Sequence, residues 1–256
     1  MKAPPLVEAR SVWKRYGETV VLERLDLSIR DGEFCVAVGA SGCGKTTLLR
    51  MLLGEETPDQ GQLLFAGQPL LAEPDRARGI VFQRYSVFPH LTVLGNVLLG
   101  LEIGHGVFGR LFGAARRRAR EVALAMLRRV GLEAAATRYP QQLSGGMQQR
   151  LALAQSLVAK PRLLLLDEPF GALDPGIRHD MHDLVRELWR EQRLTVLMVT
   201  HDLKEGFALG TRLFVLDKVR NDPQGPHAWG SRITYDIPLD KPGSTAVTPT
   251  ARRLAS

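Results

Sequence analysis

The chain has 256 residues, 45% of them hydrophobic and 24% charged, a balance that excludes a collagen-like or wholly disordered protein. Its length fits one large domain or two small ones. A formal net charge of +7 is compatible with an anionic partner, whether nucleic acid, nucleotide or lipid headgroup. Two cysteines, Cys35 and Cys43, are too few for a disulfide framework or a four-ligand zinc site, so a reducing compartment is expected. The N-terminus MKAPPLVEARSVWKRYG has no apolar core ahead of its charges, unlike a secretory signal.

In chain order, Leu6–Val12, Val20–Leu22 and Leu25–Ile29 read as short β-like runs, followed by Phe34–Val38, which is apolar on both faces as a buried parallel strand should be. Thr46–Leu53 reads as a helix stopped by Gly54, and Gln62–Phe65 and Ile80–Phe82 as further strands. The longest uncharged stretch, Tyr85–Leu101, is interrupted by Pro89, His90, Thr92 and Asn96 and falls short of the about 20 apolar residues of a spanning helix. Any work at a membrane is therefore done from its side. Helices are predicted over Leu91–Leu101, Arg116–Val130 and Gly146–Ala159, the second with Val122, Ala125 and Met126 as its apolar stripe, and Gly104–Gly113 reads as a loop. After Pro161 the pattern alternates: strand Leu163–Leu166, helix Ile177–Arg193, strand Thr195–Thr200, helix Leu203–Leu209, strand Arg212–Leu216. The sum is an α/β core with a helical insertion. From about Asp240 the chain is rich in Pro, Ser and Thr and is expected to be extended or disordered.

Three motifs carry chemistry. Gly39, Ala40, Ser41, Gly42, Cys43, Gly44, Lys45 and Thr46 fit G-x-x-x-x-G-K-[ST] between a predicted strand and a predicted helix. Glycines let the backbone wrap a polyphosphate with its N–H groups inward, the helix N-terminus adds positive potential, Lys45 reaches the outer phosphates and the Thr46 hydroxyl can ligate Mg²⁺. The strand Leu163–Leu166 ends in Asp167, placed to hold that Mg²⁺, and in Glu168, which can polarise an attacking water. Leu143, Ser144, Gly145, Gly146, Met147, Gln148, Gln149 and Arg150 open a third helix, with Ser144 as its cap and the glycines freeing a row of N–H donors, a second anion site.

With this third motif the sequence closely resembles the ATP-binding subunits of ABC transporters, whose signature reads LSGGQ; Met147 departs from it at the fifth position. The resemblance covers about Leu6 to Leu216 with its motifs in family order. It implies a P-loop NTPase core with a mainly parallel sheet, an N-terminal antiparallel β subdomain and a helical subdomain at about 91–160, within an ATP-binding domain of 6–240 followed by a tail of 241–256. It further implies that Gln83, 38 residues after Lys45, touches Mg²⁺ and water, that His201 contacts the γ-phosphate, that Tyr16 stacks on adenine and that Thr47 adds to the nucleotide contacts. Gly171, Ala172, Leu173 and Asp174 resemble the D-loop. Two copies would pair head to tail, each ATP clamped between Lys45 of one and Ser144 of the other, on the cytoplasmic face of a bacterial membrane, with separate permease subunits and indirectly a solute-binding protein as partners and no nucleic acid. Two rivals remain: a repair or translation ATPase would carry a long coiled coil or a second cassette, and a purely regulatory module would lack Glu168 or His201.

Within such importers, Phe170–Pro175 and Gln83–Asn96 resemble the nitrate, sulfonate and taurine branch. Gly54, Glu55 and Glu56, together with Gln155 and the end Asn221, Asp222, Pro223 and Ile233–Asp236, resemble members associated with urea- or guanidine-type nitrogen metabolism. His179 and His182 lie at i,i+3 without a third metal ligand and read as an exposed helix face. Cys43 fills a position that needs only a small residue. Residues 110–129 hold Arg110, Arg116, Arg117, Arg118, Arg120, Arg128 and Arg129 against Glu121, so the chain's basic character belongs to one segment, either a solvated face or a surface for anionic lipid or an acidic partner loop.

Overall fold

A computed structural model describes residues 4–73, 75–82, 87–102, 113–220 and 228–239. Gln83, the predicted loop up to residue 112, Arg110, Asn221 to Pro223 and the tail 241–256 lie outside the described residues. Two compact units are formed, Met1–Pro74 with Trp189–Ser256, and Asp75–Leu188.

In the first unit, β1 (Val7–Tyr16) and β2 (Thr19–Ile29) form an antiparallel hairpin in which Tyr16 faces Thr19. The three-residue spacing between Leu22 and Leu25 suggests two separate runs in the sequence, yet the structure has one strand. A bulge at Arg24, whose φ is 45°, absorbs the extra residue and keeps both leucines buried. β3 (Phe34–Val38) is buried at all five positions and leads through the glycine loop into α1 (Lys45–Leu53), which ends at a left-handed Gly54. β4 (Gln60–Phe65) and the two-residue β5 (Gln68–Pro69) complete an antiparallel sheet of order β2-β1-β4-β5.

The second unit pairs β6 (Arg78–Val81) parallel to a strand met later in the chain, and carries α2 (Val93–Glu102), α3 (Gly113–Arg129) and α4 (Gly145–Leu157). That partner strand is β7 (Leu163–Asp167), with Val81 opposite Leu166, and α5 (Pro175–Gln192) follows it. Single 3₁₀ turns at Glu133–Ala135 and Pro140–Gln142, which no apolar period announces, bend the chain between α3 and α4. α3 buries Ala119, Ala123, Met126 and Leu127. This corrects the stripe read from the sequence: Val122 is 44% exposed and Ala125 is exposed too, and only Met126 of the three faces inward. Small alanines satisfy the true 3.6-residue stripe, so the larger Val122 misleads. Arg116, Arg117, Arg118, Arg120, Arg128 and Arg129 are all exposed on this helix, and Arg128 pairs with Glu133 at 3.2 Å.

The chain then completes the first unit with β8 (Thr195–Thr200), α6 (Leu203–Leu209), β9 (Arg212–Asp217) and β10 (Arg232–Pro238). β8 and β9 flank β3 in parallel, and β10 adds antiparallel to β9. β10 was not anticipated. Its anchor is ionic: Arg212 Nε donates to Asp236 Oδ1 at 2.6 Å and Arg212 Nη1 to the Ser28 carbonyl at 2.8 Å. The bond to Asp236 holds the Arg212 guanidinium above its ordinary basicity. Among the described residues no helix is long and apolar enough to cross a membrane.

Asn96 is fully buried at the start of α2, where its Oδ1 accepts from the Phe88 N–H at 2.7 Å and its Nδ2 reaches the carbonyls of Phe88, Leu91 and Thr92 at 3.0–3.1 Å. One buried amide thus ties four backbone groups together. Asn96→Ala removes the side-chain partner of the Phe88 N–H and of the Leu91 carbonyl, while the Phe88 and Thr92 carbonyls keep the N–H groups of Leu91 and residue 96, and it is expected to cost about 2–3 kcal/mol, read as a lowered urea midpoint with unchanged m-value.

Candidate functional site

The glycine loop is set by strand register. β3 and β8 run side by side with Val38 opposite Thr200, so the loop from Gly39 and the turn at His201 leave the same end of the sheet as neighbours. Gly39 cannot carry a side chain, since a Cβ there would lie 2.5 Å from the Leu216 carbonyl oxygen of β9 and 2.6 Å from Cys43 Sγ. Gly44, at φ 89°, is the left-handed N-cap of α1 and offers no side-chain cap, which leaves the first-turn N–H groups of α1 to a ligand.

Lys45 is the centre of this arrangement. Its side chain folds back through the loop, is 6% exposed, and donates from Nζ to the carbonyls of Gly39 at 2.8 Å and Ala40 at 3.0 Å. The ammonium is thus held by two neutral carbonyls at the mouth of a helix N-terminus. Cys43 is buried in the same loop, and burial pushes its thiol up, so it is a packing residue rather than a thiolate. Ala40, Ser41 and Gly42 form the exposed outer rim, and Thr46 and Thr47 follow Lys45 on the first turn of α1.

The turn carrying His201 is fixed by groups the sequence reading missed. Thr200 Oγ1 donates to the buried Glu205 Oε2 at 2.6 Å and accepts from the Asp202 N–H at 3.1 Å, while Asp202 caps α6 by accepting from Lys204 N–H at 2.8 Å. His201 itself is exposed. A buried acid three positions after a capping Asp is the signal that could have revealed Glu205. On the other flank of the loop, Tyr16 closes β1 with 46% of its surface open. Its hydroxyl donates to Glu56 Oε2, and burial together with that bond raises the phenol above its usual range.

The second unit holds the remaining candidates. Asp167, 7% exposed, ends β7, and Glu168 follows in a left-handed backbone conformation with φ 44°. For a non-glycine residue this costs on the order of 1–3 kcal/mol, and such strain collects at functional positions. Ser144 caps α4, its Oγ accepting from Met147 N–H at 3.3 Å; Ser144 and Gly145 are exposed, whereas Gly146 is buried against Ile177. Gln148, beside the departure at Met147, donates to the carbonyls of Pro140 and Leu143 at 3.0 and 3.3 Å and so braces the turn leading into the signature. His182 does not lie on an exposed face: it packs edge-on against the buried Phe170 with centroids 4.7 Å apart, while His179 is exposed beside Asp183. Among the described residues no group of three potential metal-binding His, Cys, Asp or Glu side chains is found.

A glycine loop wrapped on a buried lysine at the carboxyl end of parallel strands defines a phosphate-binding α/β protein. The profile of the ABC transporter family matches residues 22–171. The chain is 45% identical over 242 residues to an aliphatic sulfonates import ATP-binding protein of Burkholderia pseudomallei strain K96243, covering 94% of this chain and 65% of the relative. It is 43% identical over 222 residues to a spermidine/putrescine import ATP-binding protein of Lawsonia intracellularis, covering 86% of this chain and 58% of the relative. The chain therefore spans somewhat less than two thirds of the length of these curated relatives. Among solved structures, it resembles a bacterial ABC transporter cassette determined as a dimer, with a TM-score of 0.75 and 30% identity over 92% of this chain and 99% of the other. The fold also matches that of a nucleotide-free ATP-binding cassette at a TM-score of 0.77 and 22% identity, covering 92% of each chain. The chain belongs to the ABC transporter family, and its fold is that of an ATP-binding cassette.

His182 makes stability depend on pH. Burial, and then the charges of Arg186 and Arg178, lower its pKa from 6.5 to about 4. The unfolded chain therefore binds the proton first, and stability falls as pH drops from about 6.5 towards 4. Urea midpoints measured from pH 7.5 to 5 should decline for the parent and decline less for His182→Gln.

Proposed function

We propose that the chain is the ATP-hydrolysing subunit of an ABC importer, in which ATP binding and hydrolysis by a head-to-tail pair of copies drive solute uptake through separate membrane subunits. The observation that carries this reading is the buried Lys45 ammonium, held on the Gly39 and Ala40 carbonyls at the uncapped start of α1. That geometry keeps a cation and a set of N–H donors ready for the β- and γ-phosphates of ATP, along the loop Gly39, Ala40, Ser41, Gly42, Cys43 and Gly44. The base stacks on Tyr16, which is nearly half exposed, and Thr47 lies on the turn beside it.

Mg²⁺ fits the donor set of Thr46, Asp167 and Gln83, which offers a hydroxyl, a carboxylate and an amide oxygen, all hard oxygen ligands. When bound, the ion neutralises phosphate charge. Glu168 acts as general base towards the attacking water, its strained backbone fixing where the carboxylate can go. His201, carried on the Thr200–Glu205 brace, contacts the γ-phosphate. Ser144 and Gly145, exposed on the cap of α4, serve the ATP of the partner copy, so each copy supplies half of two sites. ATP bridges only the closed pair, and its hydrolysis reopens it.

The chain works at the cytoplasmic face of the cell membrane, with permease subunits as direct partners and a solute-binding protein on the far side. The relatives named above import sulfonates or polyamines, so cassettes this alike serve different cargoes. A small nitrogen or sulfur compound is the class those names span, and its choice belongs to the other subunits.

Glu168→Gln should lower ATP hydrolysis by about 100-fold or more and accumulate an ATP-dependent dimer in size-exclusion chromatography. Turnover at the parent rate would remove Glu168 as base.

A further inference from the structure

The acidic pair after α1 stands out in the sequence, and the functional reading above does not use it. Glu55 and Glu56 follow Gly54, which closes α1 by donating from its N–H to the carbonyls of Arg50 and Met51. The turn brings Glu56 back beside Tyr16. Its carboxylate is 19% exposed and gathers three partners: the Tyr16 hydroxyl donates to Oε2, Lys14 Nζ lies 3.5 Å from the same oxygen, and Arg50 Nη1 lies 3.6 Å from Oε1. Lys14 also donates to the Thr57 carbonyl at 2.9 Å and sits 5.4 Å from the centre of the Tyr16 ring. Thr47, one residue pair on from Lys45, has its hydroxyl beside the same phenol. Tyr16 is thus held against the flank of α1 whose first turn is the phosphate site.

We propose that Glu56 is a positioning residue for the nucleotide base: by holding the Tyr16 hydroxyl it fixes the ring in the plane on which the base stacks. The proposal rests on the reading of Tyr16 as the stacking residue and adds to it a cause for the ring's orientation. Tyr16 terminates β1 and is nearly half exposed, so packing alone leaves the ring free to turn. A charge-assisted bond to a shielded carboxylate restrains it, and a ring restrained before the base arrives has less freedom to lose on binding. Lys14 and Arg50 keep the carboxylate in place and offset its charge, so that it presents little repulsion to the polyphosphate nearby. A hydroxyl is needed for this, which gives a chemical reason for tyrosine rather than phenylalanine at residue 16.

The test compares ATP with inorganic tripolyphosphate, which has the phosphates and no base, in calorimetric titrations of the full chain with Mg²⁺. Glu56→Ala and Tyr16→Phe should each weaken ATP about three- to tenfold and leave tripolyphosphate unchanged. The double variant should be no weaker than the worse single one, and Glu56→Gln, which keeps an oxygen acceptor for the hydroxyl, should recover most of the loss. Equal losses for ATP and tripolyphosphate would make Glu56 a support of the fold and overturn the proposal, as would unchanged ATP affinity in both Glu56→Ala and Tyr16→Phe. If Glu56→Ala does not fold, Tyr16→Phe, which removes a single hydroxyl, decides alone. Tyr16→Ala separates the two layers. No selective loss of ATP in that variant removes the stacking reading itself, whereas a selective loss there with none in Glu56→Ala and Tyr16→Phe removes only the positioning role.

Discussion

A single buried cation organises the first unit. The Lys45 ammonium is nearly removed from water and rests on two backbone carbonyls, an arrangement that holds only if the loop around it is rigid and correctly shaped. The loop's shape follows in turn from β3. Five buried apolar residues between two parallel neighbours fix where the chain leaves the sheet, and Gly39 then slips past the Leu216 carbonyl where no side chain would fit. Gly44 turns the chain into α1 in a left-handed conformation and leaves the helix N-terminus open. Strand burial, two glycines and one lysine are thus links in a chain of dependence that ends in a concentrated positive site.

Register also sets where the neighbouring candidate residues lie. β8 delivers His201 at the same sheet end because Thr200 stands opposite Val38, and the Thr200–Glu205–Asp202 network holds the turn that carries it. β1 delivers Tyr16 because the hairpin closes there, three irregularities earlier having shifted its register against β2. In the second unit β7 ends in Asp167 and Glu168 in the same manner as β3 ends in its glycines, with the strain at Glu168 marking the point where the strand stops. Chemistry at strand ends is what a parallel sheet makes available.

How much of this was legible depends on whether the signal is local. The glycine loop, the Asp167–Glu168 strand end and the Ser144 cap each lie within a few residues, and the structure places all of them at the ends of the expected elements. Longer-range features escaped. β10 is held by Arg212 and Asp236, 24 residues apart, and its own alternation is weak, so nothing local marked it as a strand. The bulge at Arg24 made one strand read as two, because a three-residue step between leucines breaks the period of two. On α3 the buried stripe is largely alanine, which hydrophobicity underweights against the exposed Val122. His182 reads as a surface residue until Phe170, twelve positions earlier, is found beneath it. Glu56 is conspicuous in sequence and mute there, since its partner Tyr16 lies 40 residues away. Gln83 lies outside the described residues, so its part in the site is still the one the family resemblance implies.

On the proposed reading, the Lys45 charge is what makes this loop a nucleotide site. The most direct test of that reading is the equilibrium binding of ATP to the full chain and to Lys45→Ala in the same buffer. A loss of about 10- to 100-fold in affinity is expected, the worth of a charged hydrogen-bonding group in a shielded site. Binding of ATP by Lys45→Ala at the parent affinity would contradict that reading.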